Sequence, residues 1–184
     1  MIVNSSLIML LAAIVAFCLH ATAEWKLVQQ FFKADLGRAR IAARTDGYLE
    51  TNDEKTTAII EVKPYARVLD IDQIQMQEST QIAAAIASRG FPDPETHREH
   101  LSSFILVSQS RHEVFITVPR YGINYIKYLK GESAPLSLLK MEQYGPWDIF
   151  NSRSLANLCG ILLALTISAS RKQKTTSSSE SGNS

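Results

Sequence analysis

The most constraining stretch is residues 57–63, Thr-Ala-Ile-Ile-Glu-Val-Lys, which is rich in β-formers. Ala58, Ile59, Ile60 and Val62 give it the composition of a central strand. Pro64 cannot donate to a ladder and ends it. Side chains two apart on a strand share a face, so Glu61 and Lys63 project together. Charges in an otherwise apolar strand are costly unless paired or used, so this pair asks for partners or for chemistry.

Neighbouring segments supply both. Residues 38–49 mix Ile41, Ala43, Thr45 and Tyr48 with polar neighbours, as a strand does. Residues 51–55, Thr-Asn-Asp-Glu-Lys, form a polar turn. The two strands pair as a hairpin, which brings Asp46 beside Glu61 and Lys63. Residues 70–88 read as a long helix with Ile74, Gln77, Gln81, Ala84 and Ala85 near one face. Gln77 and Gln81 are four apart and share that face. Two carboxylates and a lysine on one sheet edge suit metal-assisted hydrolysis. Mg²⁺ takes carboxylate and carbonyl oxygens and keeps waters. A lysine beside it orients the water or offsets developing negative charge.

These segments resemble the core of the PD-(D/E)XK nuclease-like superfamily. The resemblance is carried by Thr45-Asp46-Gly47-Tyr48-Leu49, by residues 58–64, and by Ile74-Gln75-Met76-Gln77-Glu78-Ser79-Thr80-Gln81. More narrowly, it points to a group of uncharacterised fungal proteins with this domain. It continues through Leu106-Val107-Ser108-Gln109, Arg111-His112-Glu113 and Gly145-Pro146-Trp147, covering residues 25–167. It implies an αβββαβ core with a mixed central sheet flanked by helices. It implies Asp46 and Glu61 as ligands of Mg²⁺ or Mn²⁺, with the Val62 backbone carbonyl. Lys63 becomes the catalytic lysine, and Gln81 or Gln77 the polar helix residue at the site. The implied reaction is phosphodiester hydrolysis in nucleic acid by metal-activated water. A domain that keeps the fold and binds without turnover is the alternative. Many members carry an acidic residue in the first helix; here Glu24, Gln29, Gln30 and Asp35 are what the corresponding segment offers.

The remaining chain reads as follows. Residues 24–35 carry Trp25, Leu27, Val28, Phe31 and Phe32 at helical spacing, with Gly37 as the stop. Residues 89–99 are a loop. Residues 102–107 and 112–118 are strands around a turn at 108–111. Residues 121–130 are helical, residues 136–144 stay open between strand and loop, and residues 151–168 form a closing helix. With 184 residues and 46% apolar content, one α/β domain is expected.

Both ends are apolar. Residues 1–23 contain no Asp, Glu, Lys or Arg. With Ala21-Thr22-Ala23 they have the shape of a secretory signal, which places the product in the secretory pathway or outside the cell. An uncleaved anchor or a hydrophobic extension are the other readings. The second run, residues 155–167, is short for a span of ~20 residues, so the core domain, residues 24–169, carries no membrane span. A Ser/Thr-rich tail, residues 170–184, is expected to be disordered.

Several function classes fall away. A formal net charge of +1 counts mildly against tight, non-specific duplex binding and leaves open an enzyme that touches its substrate briefly. Cys18 and Cys159 make neither a zinc site nor a disulfide framework. His97 and His100 match no zinc-protease order and read as surface loop residues. Ser108 and His112 lack a nucleophile elbow. Tyr144, Trp147 and Phe150 read as core or docking residues. Arg111, Arg120, Lys127 and Lys130 read as scattered surface charge.

Overall fold

The computed structural model describes residues 2–17, 21–36, 39–88, 104–132 and 137–177. The expected stop at Gly37, the loop at 89–99 with His97, His100 just beyond it, Cys18, and the tail beyond Ser177 lie outside the described residues.

The central strand forms as its composition demands. β5, Thr56–Lys63, is buried at Ala58, Ile59, Ile60, Glu61 and Val62. It lies in a six-stranded sheet with β1 (Glu24–Lys26), β4 (Gly47–Glu50), β6 (Ile105–Ser110), β7 (Glu113–Arg120) and β8 (Lys140–Asp148), in the order β1-β4-β5-β6-β7-β8. β4 pairs with β5 antiparallel, as the expected hairpin. β5 and β6 are parallel, with Glu61 opposite Ser108 and Lys63 opposite Ser110. Parallel neighbours need a crossover. It contains α2, Ile71–Ser88, close to the expected helix.

Strand alternation divides the core in two. Ala58, Ile60, Val62, Val107, Val114 and Ile116 face α1 (Ile2–Phe17) and α4 (Ser152–Ser177). Ile59 and Leu106 face α2, α3 (Ile123–Leu129) and the separate hairpin of β2 (Gln30–Leu36) and β3 (Ala39–Thr45). Glu61 and Lys63 share the face of Ile59, beneath α2.

Four expectations change. Residues 24–35 are not a helix: β1 and β2 occupy them. Phe32, Ala34 and Leu36 turn inward, while Phe31, Lys33 and Asp35 turn outward. Both a 2-residue and a 3.6-residue period fit the apolar positions. The partner strand decides, since Ile41, Ala43 and Thr45 on β3 alternate in step. The turn expected at 108–111 is shorter. β6 runs to Ser110 because its pairing with β5 extends that far, and Arg111, at φ 59°, carries the turn. The open segment at 136–144 contains part of β8.

The fourth change concerns the closing helix. α4 continues past the expected end at residue 168, through Ser170 to Ser177, into the segment expected as the tail. Within it, Ser152–Arg171 is 20 residues long and apolar enough to cross a membrane, with 22% of it buried. Its buried hydroxyls are satisfied within the helix: Thr166 Oγ1 donates to the Leu162 carbonyl and Ser170 Oγ to that of Thr166. The same hydroxyls hold the helix to the sheet. Trp25 Nε1 donates to Thr166 Oγ1 at 3.0 Å, and the Ala23 amide to Ser170 Oγ at 3.0 Å. α1 lies alongside, with Leu7, Leu11 and Ile14 buried in the same cluster.

Candidate active site

The site is built where β5 leaves the core beneath α2. Glu61 is 4% exposed, and three donors converge on its carboxylate. Lys63 Nζ reaches Oε1 at 2.5 Å, Gln77 Nε2 reaches Oε1 at 2.8 Å, and Gln81 Nε2 reaches Oε2 at 2.5 Å. The spacing of two on β5 and of four on α2 places all three donors on one acid. Burial pushes the Glu61 carboxyl above its ordinary value. The bonds from Lys63 and Gln81 oppose that rise, and the nearby charge of Asp46 adds to it.

Asp46 sits between β3 and β4. Its amide donates to the Ile60 carbonyl at 2.9 Å, and its Oδ2 accepts from the Val62 amide at 2.8 Å. The N–H and C=O of one strand residue point to the same strand edge. The Val62 carbonyl therefore lies on the Asp46 side of β5. Gly47, the next residue, admits the close approach of β1 to β4: a Cβ there would lie 2.7 Å from the Lys26 carbonyl oxygen. Asp46, Glu61, Val62, Lys63, Gln77 and Gln81 all line one pocket of about 570 Å³, together with Arg44 of β3. The six residues singled out from the sequence are thus brought together.

The first-helix position is resolved differently. Glu24 is exposed on β1, opposite Glu50. Gln30 bonds Thr56, and Asp35 pairs with Arg40 on the exposed hairpin. Only Gln29 approaches Asp46: the two share a cavity of about 170 Å³ with Leu7, Leu11 and Val62. α1 itself, residues 2–17, has no acidic residue.

A buried network beside the site escaped the sequence reading. Arg67 donates to both carboxylate oxygens of Glu78 and, at 2.9 Å, to Ser108 Oγ. Its guanidinium lies 4.5 Å from the centroid of the Phe115 ring. Arg67 and Glu78 are both almost fully buried. The signal was present, because Glu78 stands four residues from Ile74 and four from Ile82 on the inward stripe of α2. A charge there requires a buried partner. Ser108 is spent in this network.

The other candidates are not gathered. Arg111 and Arg120 flank opposite ends of β7, and Arg120 pairs with Glu142. Lys127 and Lys130 lie at the end of α3, away from the pocket lining. Trp147 docks α4 by donating to Asn157 Oδ1 at 2.8 Å. Phe150 is exposed rather than core and stacks on His112. Tyr144 is half exposed.

No protein-family model and no curated protein matches this chain. Among solved structures it is similar to a chain in a cryo-EM structure of a DrdV–DNA complex, at 15% identity and a TM-score of 0.38. That match covers 83% of this chain and 11% of the other.

Proposed function

We propose that this chain is a metal-dependent nuclease-like domain of PD-(D/E)XK type that hydrolyses phosphodiester bonds of nucleic acid. One observation supports the reading above all. A buried Glu61 gathers Lys63, Gln77 and Gln81 on its carboxylate, with Asp46 on the wall of the same pocket. The element order agrees with it. With the β2–β3 hairpin set aside, α1, β1, β4, β5, α2 and β6 run as αβββαβ.

The donor set fits a hard divalent cation. Two carboxylates and a backbone carbonyl border a pocket with room for waters, as Mg²⁺ or Mn²⁺ requires. Asp46, Glu61 and the Val62 carbonyl would hold the ion. Gln81 Oε1, buried without a protein partner among the described residues, adds an acceptor beside Glu61. When bound, the ion supplies a water of lowered pKa and positive charge against the phosphate. The chain supplies the rest. Gln77 and Gln81 fix the orientation of the Glu61 carboxylate. The Val62 amide fixes Asp46. Lys63 brings a positive charge to the place where phosphate oxygens gain negative charge.

A non-catalytic binding domain is the second reading. It is favoured by the complete engagement of Glu61 by its three donors. It is also favoured by the absence, among the described residues, of any group of three His, Cys, Asp or Glu. Cleavage of labelled single- and double-stranded DNA and RNA by the full chain decides between the two. Cutting that needs Mg²⁺ or Mn²⁺ and disappears in Glu61→Ala and Lys63→Ala is the expected result. No cutting by folded wild-type protein selects the binding domain.

A further inference from the structure

The β2–β3 hairpin stands apart from the main sheet and forms one bank of the pocket through Ala42, Ala43 and Arg44. Its inner face packs on α2 through Phe32, Ile41 and Ala43. Its outer face carries an exposed aromatic residue. Phe31 is 62% exposed there, and its register partner is Arg44. Lys33 stands opposite Ala42, the next outward position. Residues facing each other across an antiparallel pair share a face. Phe31, Lys33 and Arg44 therefore form one exposed aromatic and basic surface that continues into the pocket. Arg40, on the same face, is tied to Asp35, whereas neither Lys33 nor Arg44 is in an ion pair among the described residues.

Gln81 connects this surface to the candidate chemistry. Its Nε2 donates both to Glu61 Oε2 and, at 2.9 Å, to the Arg44 carbonyl. The amide that orients the acid thus also ties α2 to the hairpin backbone at Arg44. On the facing bank, Met76 of α2 is 67% exposed and lines the same pocket.

We infer that the outer face of the β2–β3 hairpin is the substrate-binding surface for a single-stranded nucleic acid, with Phe31 stacking on an unpaired base and Lys33 and Arg44 holding flanking phosphates. This rests on the nuclease reading of the adjoining pocket and adds its substrate class. A free aromatic face serves an unpaired base, since a base inside a duplex is already stacked. Two unpaired cations suit a few phosphates of one strand. A net charge of +1 is little for gripping a duplex, whose affinity grows with the number of phosphates neutralised.

Fluorescence anisotropy with labelled oligo-dT, oligo-U and a DNA duplex, using the full chain in EDTA, tests this. All substituted residues are exposed, so folding is expected to persist and is checked by melting. Phe31→Ala should weaken single-strand binding by about tenfold or more, and Phe31→Trp should restore it. The double variant Lys33→Ala/Arg44→Ala should reduce the slope of log affinity against log salt by about 0.7 for each residue. Duplex binding should not respond to Phe31→Ala. Unchanged single-strand affinity in both variants, with wild-type cutting intact, overturns the hairpin surface and leaves the nuclease standing. Wild-type protein that cuts duplex but binds no single strand has the same consequence. Protein that neither binds nor cuts any nucleic acid removes the nuclease reading as well.

Discussion

Glu61 shows how a residue readable in the sequence acquires its behaviour from its surroundings. In a peptide its carboxyl would titrate near 4.5; here burial raises it. A raised carboxyl in the folded state means that the folded protein keeps a proton the unfolded chain has lost. Its contribution to stability is full below the ordinary glutamate value and is lost as pH climbs through the raised one. Metal-free wild type should therefore lose stability relative to Glu61→Gln as pH rises from about 4 towards neutrality. Thermal melts of the two proteins across that range measure the difference; a constant gap would remove burial as the cause. Mg²⁺ should raise the wild-type melting temperature at neutral pH and much less in acid, because its ligands must be ionised. Glu61→Gln should blunt that response. The Glu61–Lys63 pair was legible because a period of two is built into any strand. Glu78 on the inward stripe called for a buried partner, but nothing in the segment around Arg67 marks it as that partner.

At the scale of elements, β5, α2 and α3 follow from local composition, and their boundaries agree with the sequence to within a few residues. The segment at 24–36 does not, since its apolar pattern admits two periods, and pairing of residues 24–26 with β4 and of residues 30–36 with β3 selects one. The N-terminal apolar segment is the other case. As a secretory signal it would leave after Ala23, yet in the fold α1 places Leu7, Leu11 and Ile14 against Trp25, Ile60 and Val62 in one cluster. Each buried leucine there is worth about 2–5 kcal/mol when cut back to alanine. Removal of residues 1–20 should lower the melting temperature and raise binding of a hydrophobic dye. An unchanged melt would mean that α4 alone covers this face, and that cleavage after Ala23 costs the domain nothing. N-terminal sequencing of the protein from its native source then reports which form exists.

For the molecule as a whole, the sheet is the rigid part. β5 and β6 are interior strands, with neighbours on both edges and buried side chains on both faces. Their amides should be the last to exchange with deuterium, opening only with global unfolding. Those of the β2–β3 hairpin, which has a single partner strand and an exposed outer face, should exchange earlier. Equal protection in both would make the hairpin part of the same cooperative unit. Local pattern was enough for the apolar central strand, the polar turn before it, the helix after it, and the faces shared by Glu61 with Lys63 and by Gln77 with Gln81. Those are properties of period, and a period of two or of 3.6 is written in neighbouring residues. Only the packed fold decided that residues 24–26 and 30–36 are strands, that Gln29 rather than an acid approaches Asp46, that Arg67 balances Glu78, and that Arg44 borders the pocket. Each of these depends on which distant segment arrives to share a hydrogen bond or cover a face, and a local pattern does not encode that encounter.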